Sequence, residues 1–167
     1  MSAIEGVLRA LDHAGVRHVV VGGVAVVLQG HARLTADLDL VIDLEPGSAR
    51  RAMQAFVSLG LRPRAPVQAK DFADPATRRR WIEEKGMRVF SLWDPQDPLR
   101  EVDVFVEAPL PFEELWERAD RMQLADMIVR VASLDDLIAM KRAAGRPEDL
   151  LDIEALRAIQ QERSRGD

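Results

Sequence analysis

The chain has 167 residues, 31% of them charged and 47% hydrophobic, with a net charge of −5 and a pI near 5.3. That is globular composition at the size of one domain (1–167), and its acidity argues against a broad coat for nucleic acid. The absence of cysteine excludes disulfides, thiolate metal sites and cysteine nucleophiles, and no apolar run approaches the roughly 18 residues of a membrane span. With no basic-then-apolar leader at its start, the chain is expected in the cytoplasm with no membrane partner.

Ser2-Ala3-Ile4-Glu5 has capping-box spacing, and Ile4, Val7, Leu8 and Leu11 form one helical stripe up to Gly15. Val16–Val21 is β-branched and reads as a strand that stops at Gly22-Gly23; Val24–Gln29 then gives about two helical turns before Gly30. A helix that opens on two glycines presents free N–H groups and a partial positive charge, a ready seat for phosphate. The next strand supplies the opposite sign. In Asp37-Leu38-Asp39-Leu40 a period of two puts both carboxylates on one face and both leucines in the core. Like charges about 4 Å apart repel by roughly 4 kcal/mol at an effective dielectric near 20, so such a face favours a cation. The simpler alternative is an ordinary turn, with Asp37 and Asp39 exposed and paired to Arg33 or another arginine.

Pro46–Ser48 opens a helix carrying Ala52, Ala55, Phe56 and Leu59 inward and ending at Gly60, and Leu61–Ala73 reads as a short edge strand followed by loop. Asp74-Pro75 caps a helix through Glu84, in which Arg78-Arg79-Arg80 reads as a solvated face, with phosphate contact as the functional alternative. Met87–Trp93 and Arg100–Val106 form an antiparallel hairpin with a wide turn over Asp94–Pro98. In its second strand Glu101 and Asp103 share a face. Phe112–Ala119 is a short helix with Leu115 and Trp116 as core candidates, and Met127–Val131 is a last strand. Ser133-x-x-Asp136 caps a helix whose stripe includes Leu134, Leu137, Ile138 and Lys141; a lysine so placed usually snorkels to solvent. Pro147 opens a final helix with Leu150, Ile153, Leu156 and Ile159 inward and a fraying tail. His13, His18 and His31 have no partners at ligand spacing and receive no chemistry.

The pattern Gly22-Gly23, Arg33-x-Thr35-x-Asp37-Leu38-Asp39, with a later strand acid at Asp103, resembles the signature of the nucleotidyltransferase superfamily with the DNA polymerase β-like fold. Within it the chain resembles small bacterial AbiEii-type abortive-infection proteins. The resemblance implies an α/β (α+β) fold: a mixed β-sheet nucleotidyltransferase core at about 1–107 with flanking helices, and a small C-terminal helical part at about 108–167. It implies catalytic and metal-binding roles for Asp37, Asp39 and Asp103, which would hold two Mg²⁺ ions, with Mn²⁺ as a substitute. It implies nucleotide contacts from Gly22, Gly23, Arg33, Thr35 and Lys141. Asp149, matching an aspartate of the relatives' last motif, is implied to face the site from behind; an acid in a first helical turn is also plain dipole complementation.

The reaction implied is transfer of a nucleoside monophosphate from a nucleoside triphosphate to an RNA (tRNA-like) or protein acceptor, releasing pyrophosphate, in a toxin–antitoxin or phage-defence setting with a cognate toxin or antitoxin as partner. Rival readings are a small-molecule, antibiotic-type nucleotidyltransferase, a metal-dependent nuclease, and a non-catalytic antitoxin or interaction module. Many relatives follow the first glycine with a phosphate-binding serine, whereas Gly23 and Val24 offer only backbone.

Overall fold

The computed structural model describes residues 2–166, with the backbone alone at Ser2, so the expected capping contact of the Ser2 side chain lies outside the described residues. Helix α1 (Ser2–His13) leads into strand β1 (His18–Val21), helix α2 (Gly22–Gln29) and strand β2 (Leu38–Ile42). Helix α3 (Pro46–Ser58), strand β3 (Arg62–Pro63), a 3₁₀ turn (Ala69–Ala73) and helix α4 (Pro75–Lys85) follow. The chain continues through β4 (Val89–Asp94), β5 (Asp97–Phe105), α5 (Phe112–Arg118), β6 (Asp120–Leu124), β7 (Met127–Val131), α6 (Leu134–Ala144) and α7 (Pro147–Gly166). Among the described residues, no helix is long and apolar enough to cross a membrane.

The strands form one seven-stranded mixed sheet in the order β3-β4-β5-β2-β1-β7-β6. Its centre is the part that matters for function. Strand β2 runs antiparallel to β1, with Val21 opposite Asp39, and parallel to β5, with Asp39 opposite Asp103. Because side chains alternate across a strand, Leu38 and Leu40 point the other way from Asp39, and both are fully buried. Ile4 and Val7 of α1 line a small cavity together with Leu38 and Val102 on that covered face. Helices α2, α6 and α7 pack on one another, with α2 against the central strands β1 and β2, and α2 and α6 line the cleft over the acidic face.

Several expectations need correction. The loop expected before Asp74 contains the 3₁₀ turn, whose Phe72 is fully buried with its ring 5.2 Å from that of Phe90. Arg78 is buried rather than solvated; its guanidinium donates to the Phe72 carbonyl and, at 3.2 Å, to the Leu44 carbonyl, while Arg79 and Arg80 stay exposed. The fork satisfies one backbone acceptor in the 3₁₀ turn and one at the β2–α3 junction, so Arg78→Lys is expected to cost about 1–2 kcal/mol, read from the midpoint of denaturant unfolding. The β4–β5 connection is tight, with Asp94 opposite Asp97 and a register shift after Trp93 in place of the wide turn.

The last expected strand, Met127–Val131, is β7. Strand β6, which the sequence reading lacks, pairs with β7 and extends the sheet. Its turn passes through Ala125 at φ 54°, with no Gly or Asn to mark it. On α7 the buried face is Asp149, Asp152, Ile153 and Leu156, and Leu150 is 63% exposed. The helix is turned so that two acids point inward, for a reason found in the site. The tail expected to fray is helical to Gly166, where Arg163 donates to the backbone and side-chain oxygens of Gln29 at 3.1 and 2.9 Å.

Candidate active site

A cleft of about 510 Å³ opens over the acidic face. Its floor is set by the sheet register: Asp39 and Asp103 occupy directly paired positions on adjacent parallel strands, with Asp37 two residues before Asp39 at the entrance to β2. Adjacent strands lie about 4.8 Å apart, so the register itself brings these carboxylates together. Glu101, two residues before Asp103, pairs with Arg64, whose guanidinium stacks 4.8 Å above the Trp93 ring, and still lies close enough to Asp37 and Asp103 to raise both. Ser91, opposite Asp103 on β4, hydrogen-bonds to the Asp103 carboxylate.

The carboxylates lack sufficient countercharge. Burial, reinforced by Asp103 and Asp37, pushes the Asp39 carboxyl up to about 7, with Lys141 and Arg146 offsetting part of the rise. Asp103 is raised by burial and by Glu101, and Ser91 opposes the shift. Asp37 is raised by burial, then by Glu101 and Asp103. These are hard oxygen donors with raised proton affinity on one strip, a donor set suited to a divalent cation such as Mg²⁺. Among the described residues, no three His, Cys, Asp or Glu side chains are gathered into a group that could hold a metal ion as they stand. An ion held here would keep waters and take further ligands from substrate phosphates.

The opposite wall is cationic. Gly22 and Gly23 are the first residues of α2, earlier than the expected start at Val24, and Gly22 has φ +66°. Their lack of side chains is a packing requirement of the site: a Cβ on Gly22 would collide with the Asp39 carboxylate, and one on Gly23 with Thr35 and Arg33. Arg33 and Thr35 come from the 31–37 loop, and Arg146 from the α6–α7 junction. Lys141 does not snorkel to solvent. It is 7% exposed, and its Nζ lies 2.8 Å from an Asp152 oxygen and 3.6 Å from Asp149. Asp149 in turn accepts from the Arg146 Nε and Nη2 at 3.0 and 3.1 Å, which holds its carboxyl below the usual range despite burial.

The structure thus gathers Gly22, Gly23, Arg33, Thr35, Asp37, Asp39, Asp103 and Lys141 around one cleft and places Asp149 behind it. Sequence reasoning missed Arg146, Asp152 and Arg64. The i, i+3 spacing of Asp149 and Asp152 beside Lys141 was the available signal for the second of these. His31, given no chemistry, reaches within 4.0 Å of Asp152.

Solved structures with the same fold include the lincosamide antibiotic adenylyltransferase LnuA in its lincomycin-bound form, which is 16% identical with a TM-score of 0.63 over 95% of this chain and 96% of that one. The antibiotic-resistance factor ANT(2'')-Ia is 16% identical with a TM-score of 0.55, over 99% and 92% of the two chains. An antigenic nucleotidyltransferase-like protein from Paracoccidioides brasiliensis is 17% identical with a TM-score of 0.54, over 92% and 74%. No curated protein matches the sequence. At these identities the likeness establishes the fold, and the family follows from the sequence itself: residues 2–162 match the model of the family described as "Nucleotidyltransferase of unknown function (DUF6036)", and the chain belongs to that family of nucleotidyltransferases.

Proposed function

We propose that the protein transfers a nucleoside monophosphate from a nucleoside triphosphate to a hydroxyl of a small-molecule acceptor, releasing pyrophosphate. The observation that carries this reading is the register that sets Asp39 beside Asp103 at the foot of the Gly22-Gly23 turn. Asp37, Asp39 and Asp103 are the residues that would hold divalent cations, Mg²⁺ or Mn²⁺, which when bound neutralise charge on the transferring phosphate. Asp103 takes the proton of the acceptor hydroxyl, whose oxygen attacks the α-phosphorus as the bond to the pyrophosphate leaving group breaks. The N–H groups of Gly22 and Gly23, with Arg33, Thr35, Lys141 and Arg146, bind the β and γ phosphates. The chain's own contribution is positioning and preorganised charge.

The choice of acceptor draws support from the cleft volume of about 510 Å³, within the range of small-ligand sites, and from the net charge of −5. It also fits two structural neighbours that are named as antibiotic-modifying or antibiotic-resistance proteins. An RNA or protein acceptor in a toxin–antitoxin setting, implied by the AbiEii-type resemblance, is the competing reading. Incubating the protein with each α-labelled triphosphate, Mg²⁺ and separated fractions of a cell extract distinguishes them. Label is expected in the small-molecule fraction together with pyrophosphate release. Label on RNA or protein would replace the acceptor reading, and no pyrophosphate from any triphosphate would overturn transfer itself.

A further inference from the structure

We infer that Asp152 is a positioning residue for the triphosphate wall: one buried carboxylate on α7 fixes both Lys141 on α6 and the loop that carries Arg33. The inference rests on the phosphate-binding role proposed for that wall. Asp152 is 5% exposed and does not itself line the cleft. One of its oxygens lies 2.8 Å from Lys141 Nζ and 3.1 Å from Arg33 Nη2, and the other lies 4.0 Å from His31 Nε2. Groups from α6, from α7 and from the first residues of the 31–37 segment therefore meet at a single carboxylate.

The loop needs such an anchor. Residues 31–37 adopt no regular secondary structure, yet they deliver Arg33, Thr35 and Asp37 to the cleft. Holding each residue of an irregular segment costs about 1–2 kcal/mol of backbone entropy. Leu34, the loop's large apolar residue, is 96% exposed and contributes no packing. The Arg33–Asp152 ion pair is thus the strong contact that ties the loop to a helix. Asp149, one turn earlier and 2% exposed, performs the matching task for Arg146 at the α6–α7 junction. This is also why α7 presents two acids inward where Leu150 was expected.

A buried acid beside phosphate-binding cations can act in two opposite ways. As a positioning group it strengthens anion binding, because it fixes where Lys141 and Arg33 point. As mere countercharge it competes with the phosphates and weakens binding. Titration of the full-length protein with inorganic tripolyphosphate and Mg²⁺, followed by calorimetry, separates these without involving base or acceptor. Asp152→Asn is expected to weaken tripolyphosphate binding by about 10–100-fold, the usual effect of losing a group that orients a ligand-binding side chain. Asp152→Glu, which keeps the charge, should recover part of the loss. Lys141 retains Asp149 at 3.6 Å in either variant, so its charge keeps a buried partner and the fold is preserved. Tryptic cleavage after Arg33 should also accelerate in Asp152→Asn relative to other sites, since the loop loses its anchor.

Unchanged affinity with only a lowered melting temperature would reduce Asp152 to a structural brace and overturn the inference. Tighter binding in Asp152→Asn would overturn it in favour of competing countercharge. Absence of tripolyphosphate binding by the natural protein would overturn it along with the phosphate wall. None of these results touches the acceptor reading, because no acceptor enters the experiment.

Discussion

In the Asp103→Asn protein, transfer is expected to fall by about 10³-fold while affinity for the metal-nucleotide stays close to that of the natural protein. The argument follows from where the carboxylates stand. Asp103 comes from β5, on the side of the cleft that leads to Val89 and Phe105 and away from the cationic wall, so its work is done on the acceptor. Asn cannot accept the hydroxyl proton, and the interaction lost exists only as the reaction proceeds. Asp39 differs, because it sits against the Gly22 turn at the foot of the phosphate seat. Asp39→Asn should therefore weaken metal-nucleotide binding as well as abolish transfer. Calorimetry with nucleotide and Mg²⁺, run beside a transfer assay, measures both quantities. Full activity in Asp103→Asn would refute the assignment. Glu101 would then be the acid to examine, since it stands beside Asp37 and Asp103 while pairing with Arg64.

The centre of this site was legible in the sequence because it is governed by local rules. A period of two fixes Asp39 opposite Leu38 and Leu40 in facing, and two glycines before a helix announce a close approach. The Ser133–Asp136 cap and the stripe of Leu134, Leu137 and Ile138 were equally local, and all three of those apolar side chains are buried as the stripe requires. What was not legible depends on partners far along the chain. Arg78 looks like one of three solvated arginines until the carbonyls of Leu44 and Phe72 are placed beside it. Lys141 reads as a snorkelling lysine because its partners, Asp149 and Asp152, lie one residue before Leu150 and Ile153, outside the stripe that apolar periodicity turns inward. The β6–β7 turn escaped because Ala125 carries a positive φ that composition does not advertise.

The metal-free protein is expected to lose stability as pH rises from about 4 to about 7, and Asp39→Asn should remove most of that loss. Asp39 has an ordinary value of 3.8 and is pushed up to about 7 in the folded state, first by burial and then by Asp103 and Asp37. Below pH 3.8 both folded and unfolded chains hold the proton, and the group is neutral to stability. Between the two values the unfolded chain has released the proton while the folded chain still binds it, so the unfolded state gains with every step in pH. Above about 7 the loss is complete, with a ceiling of about 4 kcal/mol, or roughly 10 °C in Tm for a chain of this size. His18 acts in the opposite direction. Its ring is buried and its pKa is lowered, so it favours the folded state as pH rises through the ordinary histidine range. That contribution is common to both proteins, and the difference between the natural and Asp39→Asn melting curves isolates the carboxylate. With chelator present, the gap in Tm should be small at pH 4 and widest above pH 7, with the variant the more stable. A gap that does not change with pH would mean that Asp39 is ionised throughout, with its countercharge supplied by Lys141 and Arg146 rather than awaited from a cation.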